Sequence, residues 1–194
     1  MYDIPKSINI EGKQYKIRNE GDYRVVLDCF VALNDPELTE EERVFASLII
    51  FYEDINTIED IYNFPNLESA VTEMFKFFNC GQVESPGAKS NYRLIDWQLD
   101  SQLVCSAINN VAGKEIRLES YIHWWTFMGY YMAVGDSPLA TVVGIRSKIA
   151  RGKKLEKYEL NFKKDNPQYF VWDARTTKQK ENDSLMRELW NNGK

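Results

Sequence analysis

Leu118-Glu119-Ser120-Tyr121-Ile122-His123-Trp124-Trp125-Thr126-Phe127-Met128-Gly129-Tyr130-Tyr131-Met132-Ala133-Val134 is the most apolar stretch of the chain. Read on a period of 3.6 residues, it predicts a helix over 118–134. Leu118, Tyr121, Ile122, Trp125, Met128 and Met132 make one face of that helix, and Trp124, Phe127 and Tyr131 make a second. Glu119, His123, Thr126 and Tyr130 leave only a narrow polar stripe between them. A helix that is apolar on most sides is either buried among neighbours or waiting for a partner. The first face, centred on Trp125, is expected in the core. The second face is expected to stay open and bind a partner, because an exposed apolar patch commonly marks an interaction site.

The flanking sequence supplies neighbours for such a helix. Ser7–Ile10 and Gln14–Ile17 alternate around Glu11-Gly12-Lys13 and predict a β-hairpin with Ile8, Ile10, Tyr15 and Ile17 as anchors. Asp22 caps a predicted helix running to about Leu33, which Asn34-Asp35-Pro36 stops. Thr39-Glu40-Glu41-Glu42 is a capping box opening the next helix. A short turn over Thr57–Tyr62 follows, and Asn66 caps a helix carrying Leu67, Val71, Met74, Phe75 and Phe78. The Gly- and Pro-containing stretch Asn79–Ser90 predicts a flexible connector. Beyond it, Leu99, Leu103, Val104, Ala107 and Ile108 mark another helix, ended by Gly113. Gly135-Asp136-Ser137-Pro138 closes the apolar helix. Leu139–Arg146 fits either a short strand or a helix, and a last helix is expected around Leu185, Met186, Leu189 and Trp190. The fold class is therefore mainly α, a helical domain with a small N-terminal β-hairpin. Four segments make up one domain: a hairpin plus acidic helices (1–80), the connector (81–90), an aromatic-rich unit with a basic end (91–165), and a tail (166–194).

The 194 residues include 26 aromatic ones, enough large rings for a substantial core or interface. Charge is unevenly placed. Residues 1–80 hold 16 acidic and 7 basic side chains, a balance of −9, whereas residues 81–194 stand at +4. The acidic half would repel a nucleic-acid backbone, and the basic half could meet an acidic protein surface or a second copy head to tail. No run approaches 18 apolar residues, so no membrane span is expected. Met1–Lys6 lacks a basic region followed by an apolar run, so no signal peptide is expected.

Candidate chemistry is sparse. Cys29, Cys80 and Cys105 are odd in number and widely spaced, which excludes a zinc ribbon or a CxxC redox pair. Asp96 and Asp100 are four apart and could hold a divalent ion, or they are a helix cap and a first-turn acid. Glu119 and His123 are also four apart, but the chain has a single histidine, so a di-iron bundle is excluded. His123 is then expected to satisfy Glu119 or a backbone carbonyl. No Gly-x-Ser-x-Gly elbow or phosphate loop is present. Lys148, Arg151, Lys153, Lys154, Lys157, Lys163 and Lys164 form a basic run with Tyr158 and Phe162 interleaved. It is either a single-strand nucleic-acid surface or a solvated helix face.

Asp96-Trp97-Gln98-Leu99-Asp100, His123-Trp124-Trp125-Thr126-Phe127 and Val143-Gly144-Ile145-Arg146, followed by a Lys-rich helix, resemble the bacteriophage "gene product fifteen" family. These are small proteins of tailed phages and prophages, encoded beside the tape-measure gene. The resemblance implies a non-enzymatic tail-assembly protein, a chaperone-like binder of the tape-measure protein in the bacterial host cytoplasm, with retention in the virion open. The expected partner contacts are Trp124, Phe127, Tyr131, Lys153 and Lys154. No cofactor and no metal is expected. Two alternatives are a structural head–tail or tail component that oligomerises into rings, and a nucleic-acid-binding protein using residues 147–165.

Overall fold

The structure, a computed structural model, describes residues 3–82 and 94–171. The predicted connector (81–90), beyond its first two residues, and the predicted C-terminal helix lie outside the described residues. Two short strands, β1 (Ser7–Ile10) and β2 (Lys13–Lys16), pair antiparallel with Ile8 opposite Tyr15. Glu11 and Gly12 both take positive φ, at 52° and 85°, as a two-residue hairpin turn demands. A two-stranded hairpin is marginal alone. This one buries its anchors Ile8, Ile10, Tyr15 and Ile17 in the same cluster that holds the helical core.

The helices are α1 (Tyr23–Leu33), α2 (Glu40–Phe51), α3 (Ile58–Tyr62), α4 (Leu67–Phe78), α5 (Ser101–Ala112), α6 (Trp124–Met132), α7 (Pro138–Ala150) and α8 (Lys157–Asp165). Most starts follow the local chemistry. Asp22 accepts from the Arg24 amide, Thr39 from Glu42, Thr57 from Asp60, Asn66 from Ser69 and Ser137 from Ala140. Pro138 stands in the first turn of α7, where its missing N–H costs nothing. The open strand-or-helix choice at 139–146 is thus resolved as helix. α1 lies along α2, α2 packs on α4, and α6 is held between α1 and α5.

The apolar stretch departs from expectation. Leu118 ends a short 3-10 turn, Glu119–His123 are not helical, and α6 begins only at Trp124. The cause is a long-range contact: His123 pairs antiparallel with Asp22, and the Tyr23 amide donates to the Ile122 carbonyl at 2.9 Å. A wheel drawn over 118–134 therefore joins residues that do not share a helix. Re-phased on 124–132, Trp124 and Phe127 are each 1% exposed and belong to the core, so the face expected to be open is the buried one. Trp125 is half-buried against the core, while Leu118 and Met132 are 85% and 77% exposed.

Candidate functional site

The His123-Trp124-Trp125-Thr126-Phe127 segment sits where the two halves of the chain meet. His123 Nδ1 accepts the Trp125 amide at 3.0 Å, which makes the imidazole the N-cap of α6. An Nδ1 that accepts must be unprotonated, so Nε2 bears the hydrogen and donates to the Pro5 carbonyl at 2.9 Å. The expectation that His123 serves a backbone carbonyl holds. Glu119 instead pairs with Lys114 at 3.2 Å. Gly21, with φ +81°, approaches so closely that a Cβ there would lie 2.8 Å from the Phe77 ring and 3.0 Å from His123 Nε2. Asp22 uses one oxygen for the Arg24 amide and the other for the Ile122 amide, and Arg24 reaches on to the Glu119 carbonyl at 2.7 Å.

The two indoles do a job that the sequence pattern does not announce. Trp124 Nε1 donates to the Phe78 carbonyl at 2.9 Å, and Trp125 Nε1 donates to the Phe77 carbonyl at 3.0 Å. These are terminal carbonyls of α4, part of the set that a helix cannot satisfy itself. The same helix end closes with a Gly81 amide on the Lys76 carbonyl and a Cys80 amide on the Phe77 carbonyl, with Cys80 at φ 54°. Phe127 stacks on Tyr23 at 4.6 Å and 6°. The motif therefore locks α4, α1 and the N-terminal arm onto α6.

Burial pushes the His123 imidazole below its ordinary 6.5. As pH falls through about 6.5, the unfolded chain binds a proton that the folded chain resists, so this site's contribution is complete above that pH and is lost below it. Protonated Nδ1 could no longer accept the Trp125 amide. We expect urea midpoints of the native chain to fall between about pH 7 and about pH 5 by more than those of His123→Asn, whose amide can cap without titrating. Equal falls in the two proteins would remove His123 from the acid response.

The remaining candidates resolve separately. Asp96 accepts from the Gln98 and Leu99 amides, whereas Asp100 is fully buried and ion-paired to Arg146. Among the described residues, no group of His, Cys, Asp and Glu is arranged to hold a metal ion. Cys29 is buried, and burial drives its thiol pKa far up, which makes it a poor nucleophile. Tyr131 is half-buried, its ring 5.6 Å from that of Trp97. Lys153 and Lys154 are exposed in the loop joining α7 to α8, so they are not brought together with Trp124 and Phe127 on one face.

The face of α6 that does reach solvent was not singled out by its spacing. Thr126, Gly129, Met132 and Ala133 are exposed, flanked by half-buried Trp125 and Met128. No charged residue occurs from Tyr121 to Gly135. A Cβ at Gly129 would meet nothing within 4 Å. A helix-interior glycine in open space carries only the entropic cost of its freedom. Gly129→Ala should accordingly stabilise the fold by roughly 0.5–1 kcal/mol, read as a higher urea midpoint; a destabilised variant would show that the helix is constrained there.

No described helix is long and apolar enough to cross a membrane. No curated protein and no solved structure matches the chain. Residues 1–170 match the family described as bacteriophage Gp15 protein. With nearly the whole described fold inside that match, the chain belongs to the bacteriophage Gp15 family.

Proposed function

We propose that this phage protein is a non-enzymatic tail-assembly factor that acts in the host cytoplasm by holding an amphipathic helix of the tape-measure protein. The supporting observation is the uncharged outward face of α6, Thr126, Gly129, Met132 and Ala133, on a helix whose other side is fully committed to the core. Gly129 lets a partner backbone approach closely, and the flexible side chains of Met128 and Met132 can re-pack around different side chains. A helix laid on such a face would bury apolar surface without desolvating a charge. Tyr131, packed on Trp97 on the same side of α6 as Trp124 and Phe127, acts with them behind this face as support.

The test is co-expression with the tape-measure protein of the same phage, followed by co-purification. Gly129→Arg places a long charged side chain into open space, so it should leave the melting temperature within a few degrees of native. It should weaken capture of the tape-measure protein by about thirtyfold or more, the effect of losing about 2 kcal/mol at an interface centre. A folded Gly129→Arg protein that captures its partner normally would overturn the assignment of this face.

A further inference from the structure

The basic end of the chain and its acidic half expose two surfaces that match each other. From Val44 to Phe75 the sequence has no Lys, Arg or His and six acidic residues: Glu53, Asp54, Glu59, Asp60, Glu68 and Glu73. Within that stretch α3 exposes Ile58 by 55% and Tyr62 by 71%, four apart and hence on one side of the helix, with Glu53, Asp54 and Glu59 also exposed. Asp60 is turned inward to its own cap, accepting from the Asn56 and Thr57 amides.

The opposite surface is α8. Glu159 is buried and paired to Lys148 at 2.7 Å, which fixes the inward side of the helix. Lys157, Leu160 and Lys164 then fall at i, i+3 and i+7 on the outward side. All three are exposed, Leu160 by 53%, and Arg151, Lys153 and Lys154 are exposed just ahead of them. Exposed Glu156 and Asp165 stand at the two ends of α8, so this surface is net basic rather than purely so, while the α3 surface carries acidic charge alone. Each has an exposed apolar side chain among charges of opposite predominant sign.

We propose that the outward side of α8 in one copy docks on the α3 surface of a second copy, giving a head-to-tail assembly of this chain. The partner is identified by charge complementarity and by an apolar group at the centre of each patch. The two patches are different residues of the same chain, so the contact is heterologous: it leaves one patch of each kind unused and propagates to a ring or a filament. The contact uses neither face of α6, so it stands or falls independently of tape-measure binding.

The test is the mass of the full-length chain in solution, by light scattering across concentration and salt. Native protein should grow beyond the 22.7 kDa monomer at low ionic strength and dissociate near 1 M salt, where screening shrinks to about 3 Å. Leu160→Ser with Lys164→Ser, and separately Ile58→Ser with Tyr62→Ser, should each give folded monomers. Mixed together, those two variants retain one good patch apiece and should form a one-to-one dimer and nothing larger. A monomer at every concentration, or oligomers that both variants leave intact, would overturn the proposal. So would a monomeric protein that binds duplex DNA through Lys157 and Lys164, because α8 would then serve a phosphate backbone.

Discussion

Trp124→Ala should cost about 3–5 kcal/mol of folding stability, the range for truncating a fully buried aromatic side chain. The ring is 1% exposed, stacked on Phe127 at 5.5 Å and 18° and set against Phe30 and Trp97 at 5.9 and 6.1 Å. Its removal would open a cavity among three rings and leave the Phe78 carbonyl without its indole donor. Trp124→Phe separates the two effects: it keeps most of the packing and loses the N–H, so about 1–3 kcal/mol should remain. Trp125→Ala should cost less than Trp124→Ala, since Trp125 is only half-buried. Urea denaturation of the three variants decides the order. A Trp124→Ala protein within about 1 kcal/mol of native would restore the open-face reading, in which this side chain serves a partner and not the core.

What was legible in the sequence follows from the range of the interaction that decides each feature. Caps act over three residues, and the starts at Asp22, Thr39 and Asn66 stand where their side chains predict. The hairpin turn and its four anchors are equally local. The start of α6 is not: a pairing with Asp22, a hundred residues earlier, holds Ile122 and His123 out of the helix, and it inverted the buried and open faces. Nor does any local pattern announce Arg18, whose guanidinium gathers the Ile49, Ile50 and Tyr52 carbonyls at the end of α2. Among the expected contact residues, the exposure of Lys153 and Lys154 was readable from their charge, because cations seldom bury unpaired. The burial of Trp124 goes with a terminal carbonyl of another helix, that of Phe78, and no spacing within its own segment encodes that.

The second large effect concerns a buried charge. Asp100 is fully buried, and Arg146 meets it with both ends of its fork, Nη1 on Oδ2 at 2.5 Å and Nη2 on Oδ1 at 2.9 Å. The other guanidinium hydrogens go to the Tyr169 carbonyl and to the Leu94 carbonyl. One side chain of α7 thus fastens the segment before α5 and the turn after α8. Arg146→Met preserves most of the volume, removes the cation and leaves a carboxylate stranded away from water with the Asp96 amide as a remaining donor. Breaking one side of such a pair costs about 3–5 kcal/mol, far above the value of an exposed ion pair. Arg146→Met with Asp100→Leu should recover much of that loss, because the cost lies in the uncompensated charge and apolar replacements of a whole buried pair are often close to neutral. Arg146→Lys should fall between, since an ammonium cannot reach the carboxylate and two backbone carbonyls together. Urea midpoints for the three proteins test the scheme. A double variant no more stable than Arg146→Met would show that the carbonyl contacts, and not the buried charge, set the cost. In that event hydrogen exchange should speed up at the start of α5 and around Tyr169 in both proteins alike.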